Sequence, residues 1–169
     1  MADPEPFGPV LFVGAEAVGV PGQRRFRLKA MAEDGRSAML WLEKEQLIAL
    51  GDAIETVLKD EGIEIRPRRA DDAEAEPVFP LKADVDYRLG QLSMGVDRER
   101  REIVVIGAPA IEGEGQPISL SFAYERGAEL RSRITFVVAA GRPPCPLCTG
   151  PMDPAGHVCP KRNGHHPQD

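Results

Sequence analysis

Arg25-Phe26-Arg27-Leu28-Lys29-Ala30, Asp34-Gly35 and Ser37-Ala38-Met39-Leu40-Trp41-Leu42 follow one another within eighteen residues. In the first block cations alternate with apolar side chains. That period of two puts one set on each face of a half-buried strand. Asp-Gly is the pair that supplies the positive φ of a tight hairpin turn. The third block is the returning strand. A hairpin at this point predicts an antiparallel sheet.

Upstream, Gly19-Val20-Pro21-Gly22 reads as a type II turn, with Pro presetting one central residue and Gly supplying the other. Before it, Pro9 to Gly14 is a short apolar run suited to a strand. Downstream, Leu47, Leu50, Ile54, Val57 and Leu58 recur at spacings of three and four, which is one face of a helix. Gly62 stands where a helix C-terminus needs a left-handed residue. Glu43 and Glu45 open that helix, where acids complement its dipole.

The stretch from Arg66 to Pro77 carries no large apolar side chain, and its charge flips from basic to acidic. It predicts an exposed linker or loop near 66–80. Beyond it the order resembles the first half. Val85 to Val96 is a strand, bulged near Gly90, because Leu89 and Leu92 cannot otherwise share a face. Glu102 to Gly107 is the strongest strand, Pro117 to Phe122 is another, and Tyr124 to Ala140 is a helix with Leu130, Ile134, Val137 and Val138 on one side.

The prediction is an α+β body over residues 1–140, mainly antiparallel, with two principal helices. Two strand-strand-strand-helix halves, related by repeat or alike by chance, both fit. The expected core includes Phe26, Leu28, Leu40, Leu47, Ile54, Ile103, Val105 and Val137.

From Gly141 onward the chain is rich in Pro, Gly, Cys and His and cannot build a core. All three cysteines and all three histidines of the chain lie here. Cys145-Pro146-Leu147-Cys148 is a knuckle that turns two thiolates toward one tetrahedral ion, and His157-Val158-Cys159 is a second. Thiolates with an imidazole select zinc. Cys145, Cys148, Cys159 and His157 are the predicted ligands, with His165 the second candidate for the imidazole and His166 beside it. An odd number of cysteines and no secretion signal speak against a disulfide. Pro143-Pro144 before the knuckle and Gly150-Pro151 after it forbid the helix that a redox Cys-x-x-Cys opens. Residues 141–169 therefore read as a small zinc-ribbon-like tail with a closed, structural site.

Of 169 residues 42% are hydrophobic and 28% charged, the balance of a globular chain. The apolar runs are far short of the roughly 20 residues a membrane span needs. The N-terminus lacks the order of a signal peptide. A net charge of -6 disfavours a protein that coats nucleic acid. The body contains no Cys and no His, so no nucleophile triad can be assembled in it.

A cytoplasmic zinc-binding protein that serves as a binding or adaptor module for a protein partner is the expected class. One alternative is an enzyme acting on a phosphorylated small molecule, with Arg24 and Arg25 as anion-binding residues and Glu43 or Glu45 in its site. The other is a weak, sequence-tolerant nucleic-acid binder that uses the ribbon and the basic stripe, extended by Arg98, Arg100 and Arg101.

Several segments resemble the bacterial family catalogued as domain of unknown function 3090. They are Gly19 to Phe26, Leu42 to Leu47, Tyr87-Arg88-Leu89-Gly90, and Gly141 to Cys148 with Pro154 to Pro160. The resemblance covers nearly the whole chain. Its Gly-His-x-Cys unit implies His157, rather than His165 or His166, as the metal ligand.

Overall fold

The computed structural model describes residues 3–20, 22–69 and 76–140, and in the C-terminal segment residues 145–147, 152, 159 and 161. The element order is β1 (Glu5–Val18), β2 (Arg25–Ala32), β3 (Ser37–Leu42), α1 (Lys44–Asp60), β4 (Val85–Asp97), β5 (Glu102–Pro109), β6 (Ile118–Ala123) and α2 (Tyr124–Ala139). Each half runs strand, strand, strand, helix.

The six strands close into a barrel in sequence order. Within each half the pairing is antiparallel. The halves meet through two parallel seams, β3 with β4 and β1 with β6. The prediction of a mainly antiparallel α+β sheet therefore holds. Closure was not foreseen, because parallel seams join segments far apart in sequence.

A parallel neighbour needs a crossover connection. The chain from β3 to β4 supplies it through α1 and residues 61–84. The described parts of the predicted linker, residues 66–69 and 76–80, fall within that connection. Among its described residues, Arg66, Pro67 and Arg69 are exposed. Arg68 departs from the expectation of a fully solvated stretch, lying over the Phe136 ring at 5.7 Å.

Local chemistry explains the corners. The Gln23 amide donates to the Val20 carbonyl at 3.0 Å, and Gly22 has φ 90°, closing the Pro-Gly turn. Asp34-Gly35 makes the β2–β3 hairpin, with Gly35 at φ 91°. At the end of α1 the Ile63 amide donates to Leu58 and the Gly62 amide to Lys59, the paired bonds of a Schellman cap.

All eight residues expected in the core are buried. Phe26, Leu28 and Leu40 point into the barrel, facing Ile103, Val105, Leu120 and Tyr87. Helices α1 and α2 pack on each other and on the barrel through Leu47, Ile54, Leu58, Leu130 and Ile134. Gly127 permits the close approach of α2, since a Cβ there would lie 2.8 Å from Ile103. Among the described residues no helix is long and apolar enough to cross a membrane.

The C-terminus of α2 carries no basic residue in its last turn. Arg24, from the β1–β2 turn, supplies one. Its Nη1 donates to the Val137 carbonyl at 3.0 Å, and its guanidinium lies 5.0 Å from the Phe26 ring. A cation on an orphan C-terminal carbonyl stabilises a helix by about 0.3–2 kcal/mol. Arg24→Ala should therefore lower the unfolding free energy by about 1–2 kcal/mol in urea titration. An unchanged midpoint would show that this contact contributes nothing.

Candidate metal centre

Two of the predicted ligands fall among the described residues. Cys145 and Cys159 are 5% and 3% exposed, and their sulfurs lie 3.8 Å apart. Between them in sequence, Leu147 is 52% exposed. Here the thiols turn inward and the leucine outward.

The separation is far longer than the roughly 2 Å of a disulfide bond. It matches a shared tetrahedral ion. Two sulfurs each about 2.3 Å from zinc, subtending a tetrahedral angle, stand about 3.8 Å apart. The two residues present thus fit the metal in both chemistry and spacing. Cys148, His157, His165 and His166 lie outside the described residues. Among the described residues no group of three or more potential ligands is assembled.

Arg24 and Arg25 make different contacts within the chain. Arg24 clamps the end of α2, so the negative end of that helix is its anion. Arg25 stacks on Trp41 at 4.3 Å, and Arg27 lies over the same ring at 5.0 Å. The Trp41 Nε1 donates to Asp86 at 3.0 Å.

Arg27 pairs with Glu16 at 3.0 Å. Lys29 is buried between Glu16 at 3.4 Å and Glu76 at 3.2 Å. Glu76 also receives Arg133 at 3.3 Å. The alternation in sequence puts these cations on one face of β2 without showing their partners. The residues that neutralise them lie about ten and nearly fifty positions away, so no local pattern shows the pairing. Arg98 pairs with Glu61 at 3.7 Å, at the β4–β5 turn, rather than extending the stripe.

Glu43 caps α1 and Glu45 stands in its first turn. The Glu43 amide donates to the Gln46 side chain at 2.9 Å, one half of a capping box, and its carboxylate takes Arg88 at 2.9 Å. Tyr87 is buried, with its hydroxyl 3.0 Å from the Gly107 carbonyl and 3.1 Å from that of Gln116. Burial pushes its phenol up to about 12. It stays protonated at neutral pH and ties β4 to β5 and to the loop before β6.

Burial alone would raise the Glu16 carboxyl. The hydrogen bond and charge of Arg27, with those of Lys29, outweigh it and hold the group below the ordinary carboxylate range. A folded-state pKa below the unfolded one stabilises above the unfolded value, and that stability is lost as pH falls through the folded value. Glu16→Gln should therefore be less stable than the parent at neutral pH. The difference should close on acidification below the usual carboxylate range. A gap that persists at low pH would assign the loss to packing instead of charge.

The fold and the cysteine pair together define a class: a closed six-stranded α+β barrel with two helices and a cysteine-bearing C-terminal extension. The chain belongs to the family described as "Protein of unknown function (DUF3090)", which matches it over residues 6–159. The match ends at Cys159, so both converging cysteines fall inside it. No curated protein matches the chain.

Proposed function

We propose that this chain is a zinc-stabilised binding module of the cytoplasm, in which a zinc-ribbon-like knuckle after α2 holds one structural ion and the protein acts by engaging a protein partner. The observation that carries this reading is the 3.8 Å approach of two buried cysteine sulfurs fourteen residues apart. Cys145 and Cys159 would hold the ion, with Cys148 and His157 completing four ligands. A closed four-ligand site leaves no open position for a substrate, so the metal supplies folding energy. Thiolates must stay reduced to bind, which suits the cytoplasm. The cations of the basic stripe are engaged by Glu16, Glu76 and Trp41, which favours a binding module over a phosphate-handling enzyme or a nucleic-acid binder.

Metal analysis of the chain purified under reducing conditions tests the reading. The expected result is about one zinc per chain, lost in Cys145→Ser and in Cys159→Ser. His157→Ala should weaken binding more than His165→Ala. A metal-free chain that stays metal-free on zinc addition would overturn the proposal. Full occupancy in His157→Ala would overturn the ligand assignment.

A further inference from the structure

Two halves with the same element order could agree in their alternation alone. These agree further. Ala38, Leu40 and Leu42 of β3 are buried, and so are Ile118, Leu120 and Phe122 of β6. At the same spacing, Leu50 and Ile54 of α1 answer to Leu130 and Ile134 of α2. Phe26 and Leu28 pair with Leu42 and Leu40, as Ile103 and Val105 pair with Phe122 and Leu120. The irregularities repeat too. Register slips between Val10 and Phe12 in β1 and between Leu89 and Gln91 in β4. Beside each slip one amide closes onto the bulged strand, Glu33 on the Pro9 carbonyl at 3.2 Å and Ala110 on that of Arg88 at 2.8 Å. Every half-buried strand alternates. A bulge at one matched place in each half is a specific feature, which alternation does not produce.

The halves also meet as a two-fold axis would make them meet. In such an interface each contact occurs twice, with the partners exchanged. The seam pair Leu40–Tyr87 is answered by Leu120–Gly8. Helix α1 packs on β4 and α2 on β1, each a strand of the other half, and the two helices pack on each other. Arg24, in the β1–β2 turn, reaches the Val137 carbonyl at the end of α2. Arg98, in the β4–β5 turn, pairs with Glu61, the C-cap of α1. That second pair is exposed and adds little energy. Its position is what matches.

Neither half closes by itself. Each is three strands with two open edges, β1 and β3 in the first and β4 and β6 in the second. Each also leaves the apolar stripe of its helix to be covered. Open edges and an uncovered stripe both require a partner, and here the other half supplies it. Among its described residues the connection 61–84 adds no strand to the barrel. Two of its contacts to the body, Arg66 with Ser132 and Glu76 with Arg133, lie on either side of residues 70–75, so a cut within that stretch spares both.

We propose that the barrel is an intramolecular dimer of one strand-strand-strand-helix unit. The interface, more than the connection, holds residues 5–60 and 85–139 together, and each half takes the matching half of a second copy of this chain equally well. No residue of that interface lies after α2, so its test is independent of zinc.

The experiment uses the full-length chain with a site-specific protease sequence inserted between Ala73 and Glu74, folded first and cut afterwards. The cut chain should sediment at the mass of the parent and keep the amide signals of the barrel. Its halves are then joined by mass action alone. Tenfold dilution should therefore lower its melting midpoint by about 3–5 °C and leave that of the uncut chain unchanged. Mixed with isotope-labelled cut chain just below that midpoint, it should form light–heavy hybrids in statistical proportion, read by native mass spectrometry. Halves that separate or unfold on cutting would overturn the proposal. So would a midpoint indifferent to dilution, or cut chains that stay intact and form no hybrids.

Discussion

Chelation of the zinc-loaded chain should release about one ion per chain and disorder the C-terminal segment while leaving the melting of the barrel almost unchanged. The barrel stands on its own core. Its interior is filled by residues of all six strands, and α2 contributes Leu130, Ile134 and Val137 to the same cluster. None of those contacts needs the segment after residue 140. That segment has few means of ordering itself. Leu147, Met152 and Val158 are its larger apolar side chains, and Leu147 is more than half exposed. Structural zinc supplies about 10–16 kcal/mol in small peptides, more than three such side chains can contribute.

Amide spectra read the two regions separately. Signals from residues 143 to 164 should broaden on chelation, and those of β1 to α2 should hold their positions. Cys148→Ser and Cys159→Ser should reproduce the chelated spectrum. Collapse of the barrel signals along with the tail would show that metal and body fold as one unit.

The elements of this fold were legible wherever the cause is local. Period-two alternation marked β2, Asp34-Gly35 its hairpin, and the spacing of Leu47, Leu50 and Ile54 the buried face of α1. Gly62 marked its Schellman end. The closure of the barrel was not legible. It depends on Leu40 pairing with Tyr87 and Gly8 with Leu120, across parallel seams that no short window contains. The charge network was hidden for the same reason. Lys29 reads as a solvated cation until Glu76, forty-seven residues on, is folded against it. In the candidate site, the clustering of Cys and His and the Cys-x-x-Cys spacing pointed to the metal. The structure adds the distance between two of the expected ligands, 3.8 Å from the Cys145 to the Cys159 sulfur.

Gly90→Val should cost about 3 kcal/mol or more, well beyond an ordinary surface substitution. Up to Leu89 the odd positions of β4 face inward, with Tyr87 and Leu89 buried and Arg88 exposed. From Leu92 onward the even positions take over, and Leu92, Met94 and Val96 pack against the core. A strand cannot change parity without an extra residue, and the β4–β5 register slips between Leu89 and Gln91. The bulge brings β4 so close to β5 that the Ala110 amide donates to the Arg88 carbonyl at 2.8 Å. A Cβ on Gly90 would stand 2.7 Å from the Ala110 Cα and 3.2 Å from the Pro109 carbonyl oxygen. Those atoms are backbone on the paired strand, so no rotamer change relieves the contact. Straightening the strand instead would turn Gln91 and Ser93 toward the core and Leu92, Met94 and Val96 toward water. Both routes destabilise, and both act on the barrel while sparing the cysteines. Thermal and urea unfolding of Gly90→Val, with zinc content measured on the same samples, should show the loss of stability at unchanged metal occupancy. A variant as stable as the parent would mean that β4 can switch parity without its glycine.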